Sequence, residues 1–147
     1  MIINTGGRTD TVQYYTNWLL KRLDEGYVLS RNPLFPKKVS RYELTPEKGD
    51  CLVFCSKNYA PILPHIAKIA ARFPVYCHYT ITGYGNNIEP GVPCVDENMK
   101  TLIALSEIVG KAKVAWRYDP VLLTREYTIT RHLETFERIA KVLSPHI

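Results

Sequence analysis

Apolar residues in this chain fall into short blocks of two kinds, and the kinds alternate. Ile2-Ile3-Asn4 predicts a short strand, and Thr5-Gly6-Gly7-Arg8-Thr9-Asp10 a glycine-bearing turn. Asp10 is placed to cap a helix whose apolar positions are Tyr14, Trp18, Leu19 and Leu23, and Gly26 is the residue expected just past its end. Tyr27-Val28-Leu29 reads as a strand. After Pro33 and Pro36, Val39 to Leu44 alternates as a half-buried strand does, so the two segments are candidates for a hairpin-like insertion. Thr45-Pro46-Glu47 is a single helical turn, with proline at its first position.

The second half is more regular. Cys51-Leu52-Val53-Phe54-Cys55 is an unbroken apolar run, the mark of a strand buried on both faces. A helix is expected from about Pro61 to Arg72, a strand over Val75–Thr82, and a loop from Gly83 to Pro93. A helix begins near Asp96 and closes at Gly110, a strand covers Val114–Tyr118, and a last helix covers Ile129–Leu143. Its apolar positions are Leu133, Phe136, Ile139, Ala140, Val142 and Leu143. Strands alternating with helices demand parallel pairing through right-handed crossovers. The fold class is therefore α/β in a single domain. Two architectures satisfy it: an open, mostly parallel sheet with flanking helices, or part of a (β/α) barrel.

Both architectures place ligands at the carboxyl ends of the parallel strands. Those ends carry Gly6-Gly7-Arg8-Thr9-Asp10, Ser30-Arg31-Asn32, Ser56-Lys57-Asn58, then Thr80, Thr82 and Tyr84, and finally Arg117 and Asp119. Arg8, Arg31, Lys57 and Arg117 are thus expected around one mouth, where guanidinium forks suit a carboxylate or phosphate. Gly6 and Gly7 would offer free N–H groups and a helix start to the same anion, with Asn58 beside it. Asp10 and Asp119 are the candidate acid–base groups. The competing reading makes Arg8–Asp10 and Arg117–Asp119 structural ion pairs. The pattern matches neither a phosphate loop nor a dinucleotide fingerprint, and it contains no G-x-S-x-G elbow, so no cofactor or reaction is specified.

Composition narrows the setting. A 46% hydrophobic content over 147 residues supports a real core, and no apolar run approaches the roughly 20 residues of a membrane span. The start lacks a basic, apolar signal sequence, which predicts a cytoplasmic protein. Nineteen basic against 14 acidic residues, a net +5, mildly favours anionic partners. The basic segment from Arg31 to Arg41, with Lys37-Lys38, reads as a solvated loop rather than a nucleic-acid footprint. Cys51, Cys55, Cys77 and Cys94 include no C-x-x-C knuckle and read as buried, reduced thiols, with no metal assigned. His65, His132 and His146 read as surface or packing groups.

Several motifs together carry a resemblance: Arg8-Thr9-Asp10, Tyr27 through Pro33, Lys37-Lys38-Val39-Ser40, Asp50 through Phe54, Lys57-Asn58, Ile88-Glu89-Pro90 and Trp116 through Pro120. In their order and spacing the chain resembles a domain-of-unknown-function family of bacterial and archaeal proteins about twice this length. The resemblance implies a barrel-like fold. Full-length members carry a C-terminal cysteine cluster that looks like an iron–sulfur site, and they are similar in outline to radical S-adenosylmethionine enzymes. This chain spans only the N-terminal half, so the cluster does not carry over, and Cys51 and Cys55 are not its equivalents. Gly6-Gly7 stands where Ser-Arg is usual, and Cys55-Ser56 and Tyr59 where Trp-Thr and Pro are usual. Arg8, Asp10, Arg31, Lys57, Asn58, Arg117 and Asp119 do match the family's polar motifs.

Half a barrel would leave two open sheet edges and an uncovered inner face. The expected partners are therefore a second copy of the chain or a complementary polypeptide, besides an anionic small molecule.

Overall fold

The computed structural model describes residues 1–147. In chain order the elements are β1 (Ile2–Asn4), α1 (Thr11–Tyr14), α2 (Thr16–Glu25), β2 (Tyr27–Arg31), β3 (Val39–Glu43), β4 (Cys51–Ser56), α3 (Leu63–Ala70), β5 (Val75–Thr80), α4 (Val95–Val109), β6 (Val114–Arg117) and α5 (Ile129–Leu143). A 3-10 turn, Lys111–Lys113, leads into β6. The fold is α/β. Strands β1, β4, β5 and β6 form one parallel sheet in that order, and β2 and β3 form a separate antiparallel pair. No helix is long and apolar enough to cross a membrane.

The strand order runs in one direction without reversal. Right-handed crossovers in such an order leave every connecting helix on the same face. The register agrees: Leu52 aligns with Val75, Phe54 with Cys77 and Val114, and Ser56 with Tyr79. Leu52, Phe54, Cys77 and Tyr79 are fully buried against Leu19, Ile66, Leu102 and Leu105 from the helices. The alternate residues Cys51, Val53 and Cys55 on β4, and Tyr76 and His78 on β5, are only partly covered. Ile2 on β1, which shares their side, is 70% exposed. The sheet thus has one packed face and one open face.

That asymmetry corrects the reading of β4 as buried on both sides. Its apolar run alternates between buried and half-buried because no layer lies across the second face. The second predicted strand is corrected too. Tyr27–Arg31 pairs antiparallel with Val39–Glu43, so Arg31 does not end a strand of the parallel sheet. Of the two pairings open to this segment, the hairpin is the one formed.

The helix expected from Asp10 to Gly26 is broken at Tyr15 (φ −131°, ψ 26°). The buried stripe is Val12, Thr16, Leu19 and Leu23, spaced by four, three and four residues, whereas Tyr14 and Trp18 face outward. Aliphatic residues and one threonine form the stripe, and the aromatics lie off it. Gly26 does end α2 in the left-handed region (φ 77°), where a side chain would be strained. In α5 the inward positions are His132, Ile139 and Leu143, while Leu133 is 65% exposed. His132 is tolerated there because both ring nitrogens are engaged. Tyr118 Oη lies 2.8 Å from Nδ1, and the Leu122 carbonyl lies 3.1 Å from Nε2.

Candidate functional site at the strand carboxyl ends

The expected mouth resolves into two groups of residues with different electrostatics. The first lies at the ends of β4, β5 and β6. Arg117 grips Asp119 with two parallel bonds, Nε to Oδ1 at 3.0 Å and Nη2 to Oδ2 at 2.6 Å. This fork holds the Asp119 carboxyl below the ordinary carboxylate range, with Lys57 and His78 adding to the effect. Lys57 Nζ is paired with Glu89, which also accepts a 2.8 Å bond from Thr82 Oγ1. Lys57 and Glu89 are largely buried, at 25% and 16% side-chain exposure, so the pair is well shielded. Both cations of this group are already neutralised within the chain.

Asp10 is likewise committed. Its Oδ1 accepts the Gln13 N–H at 2.8 Å as the cap of α1, and its Oδ2 accepts Ser56 Oγ–H at 2.7 Å. Ser56 Oγ in turn accepts the Asn58 N–H at 2.9 Å, and Asn58 Oδ1 accepts the Ala60 N–H at 3.0 Å. Asp10, Ser56 and Asn58 thereby lock the turn after β1 to the turn after β4. This is the work of a cap and an Asx turn. Cys55 lies among these groups, but burial pushes its thiol up, which disfavours the reactive thiolate. Cys77 is on the opposite, packed face, where burial raises it to about 12. No group of three or more His, Cys, Asp or Glu side chains lies close enough to hold a metal ion.

The second group surrounds a cavity of about 710 Å³ between β1, α2 and the β2–β3 hairpin. Arg8 lies in the turn after β1 and Arg31 at the end of β2, and both line the cavity together with Gly7 and Thr9. Neither arginine has an acidic or hydrogen-bonding partner within the chain. The N–H groups of Gly7, Arg8 and Thr9 donate to nothing in the chain either. Twelve of the 21 lining residues are hydrophobic.

The helix-start contribution anticipated for Gly6-Gly7 is absent in this form. α1 has only four residues, and its first turn already carries the Asp10 carboxylate. Gly6 has a different necessity. A Cβ there would sit 3.2 Å from both Cβ and O of Cys55, so glycine lets the turn lie against β4. Gly7 meets nothing within 4 Å and stays open to the cavity.

Two features were not legible in the sequence. Glu89 stands in the Ile88-Glu89-Pro90 motif, but the long loop that carries it has no periodicity to place it beside Lys57. The cavity depends on β2 standing apart from β1, which no local pattern encodes.

No curated protein and no solved structure matches the chain. Residues 2–147 match the family model described as Domain of unknown function (DUF1848), so nearly the whole chain is accounted for by one family. The protein belongs to the DUF1848 family.

Proposed function

We propose that this chain binds an anionic small molecule, a carboxylate, phosphate ester or nucleotide, through Arg8 and Arg31 of the cavity beside β1. The supporting observation is that these two guanidiniums share a cavity and lack an acidic neighbour. Both side chains are exposed and grip no carboxylate of the chain, so their guanidinium forks are available to an incoming anion. The free amides of Gly7, Arg8 and Thr9 add donors at the same place. In this reading Arg117 and Lys57 shape the neighbouring rim rather than contact the ligand, and Asp10 and Asp119 are positioning groups. The cytoplasm is the compartment we assign, because four free thiols suit a reducing environment.

Calorimetric titration with inorganic phosphate, acetate and AMP tests the proposal. Binding of any one that is weakened in an Arg8→Ala/Arg31→Ala variant and retained in Arg117→Ala supports it. Binding lost in Arg117→Ala and kept in the double variant would overturn it.

The open sheet face favours a second reading: a non-catalytic interaction module. The four parallel strands then form one arc of a barrel wall. A second copy, or a complementary polypeptide bearing the metal cluster, covers Ile2, Val53, Tyr76 and His78. Light scattering at micromolar concentration should show a dimer if the partner is a second copy, and a strict monomer argues against that arrangement.

A further inference from the structure

The β2–β3 hairpin stands apart from the body of the chain. No hydrogen bond or salt bridge joins residues 27–43 to a residue outside them. Its base packs on the body, through Val28 against the core and through Arg22 over the Tyr27 ring. From Tyr27 to Tyr42 it carries Arg31, Lys37, Lys38 and Arg41 and no acidic residue. All four cations are exposed.

Strand register orders these groups along the hairpin. Farthest from the base lies the turn of residues 32–38. Behind it come the pair Arg31 and Val39, then Ser30 and Ser40, then Leu29 and Arg41. The turn is held by its own bonds. Asn32 Oδ1 accepts the N–H of Leu34 at 2.9 Å and that of Phe35 at 3.2 Å. The Lys38 N–H donates to the Phe35 carbonyl at 2.8 Å, and the Asn32 N–H to the Lys38 carbonyl at 3.0 Å. Pro33 and Pro36 fix two further φ angles. On this turn Leu34 is 83% exposed and Phe35 64%, and Lys37-Lys38 follows directly. A turn already ordered in the free chain leaves little backbone entropy to oppose burial of its two bulky side chains elsewhere.

Apolar groups at a tip with cations immediately behind them match the layers of a membrane surface, where anionic headgroups overlie hydrocarbon. We propose that the hairpin tip docks on an anionic lipid bilayer, with Leu34 and Phe35 entering the acyl-chain boundary and Lys37, Lys38 and Arg41 among the headgroup phosphates. The contact is peripheral and needs no spanning helix. Shape and charge select this occupant. Two side chains cover only a fraction of the about 800 Å² per partner of a specific protein interface, whereas a bilayer accepts single side chains. A second copy meeting tip to tip would bring like charges together. Single-stranded nucleic acid is bound on aromatic stacking platforms, and Leu34, the most exposed tip residue, is not one. Arg31 keeps its place in the cavity and is left unchanged in the test, so the two readings stand or fall separately.

Flotation of the whole chain with vesicles of equal parts phosphatidylcholine and phosphatidylserine tests the proposal, with phosphatidylcholine alone as the neutral control. The chain should bind the mixed vesicles about tenfold or more above the neutral ones, and added salt should weaken the binding. Leu34→Ser/Phe35→Ser should weaken it about tenfold or more through lost apolar burial. Lys37→Glu/Lys38→Glu should weaken it by at least about the same factor through lost headgroup attraction. These positions are exposed, so both variants should keep the parent's thermal unfolding profile. Phe35→Trp should gain a blue-shifted emission on mixed vesicles that the parent, with Trp18 and Trp116, does not show.

Binding that survives Leu34→Ser/Phe35→Ser, with no blue shift in Phe35→Trp, would reduce the contact to charge alone and overturn the proposal. Equal binding to neutral vesicles, or none to either, would overturn it as well. So would retention of a single-stranded oligonucleotide, or a dimer broken by Leu34→Ser/Phe35→Ser, in a chain that ignores vesicles.

Discussion

The four basic residues at the strand ends share a chemical type but have opposite circumstances. Arg117 and Lys57 each hold a carboxylate of the same chain, Asp119 and Glu89. Arg8 and Arg31 hold none, and both line the cavity beside β1. A guanidinium already gripping an internal carboxylate has spent its fork geometry on the fold. An unengaged one retains that capacity for a ligand. The contrast teaches that a row of cations at strand ends is not yet a site. What separates scaffold from site is which charges the chain leaves uncompensated.

The strongest way to break this contrast is to exchange the two groups in binding assays. Removing Arg8 and Arg31 together should cost about 3 kcal/mol of anion affinity, about 1.5 for each charged hydrogen-bonding group at an exposed site. Removing Arg117 should change affinity less than twofold. Calorimetry on both variants decides the matter, and equal losses would erase the distinction.

Stability should respond the other way. Glu89→Ala leaves Lys57 largely buried without its counter-charge, at a cost of about 1–2 kcal/mol. For a chain of this size that lowers the melting temperature by roughly 2–8 °C. Arg8→Ala and Arg31→Ala should each stay within about 0.5 kcal/mol of the parent, as exposed and unpaired side chains do. Thermal unfolding by circular dichroism reads both.

Asp10→Ala should cost about 1 kcal/mol, the usual loss of an N-cap, because it also releases Ser56. Asp10→Asn should recover most of it, since the amide oxygen still accepts the Gln13 N–H. An acid–base role would in addition make the two variants equally defective in any activity found.

The smallest effect concerns pH. Arg117 holds Asp119 below its ordinary range, so ionisation of this carboxyl favours the folded chain. The contribution is present above the unfolded value of about 3.9 and is lost as pH falls through the lower folded value. The pair is roughly half exposed, so it is worth only a few tenths of a kcal/mol. Asp119→Asn should therefore slightly flatten the acid limb of the stability curve below about pH 4, and leave stability at neutral pH almost unchanged.

Much of the architecture could be read from residue patterns. The strand–helix alternation from Cys51 onward corresponds to β4, α3, β5, α4, β6 and α5 within a few residues, because each element carries its own period and its own stop signal. Gly26 was recognisable as a helix end because a left-handed terminus favours glycine. The reading failed where bulk was taken for burial. Tyr14, Trp18 and Leu133 are large and apolar yet exposed, whereas Val12, Thr16 and His132 are buried. A helix stripe is set by angle, and the side the rest of the chain presents decides which stripe is covered.

Local order along the chain thus sufficed for the α/β class, for most elements and for the list of polar residues at the strand ends. These follow from interactions among neighbours a few positions apart. The division of that list into compensated and uncompensated charges came only with the assembled molecule. So did the open face of the sheet and the cavity between β1 and β2. Each depends on groups distant in sequence, such as Lys57 and Glu89 or Arg8 and Arg31. Coulomb attraction and exclusion of water act through space, and a linear pattern carries no measure of those distances.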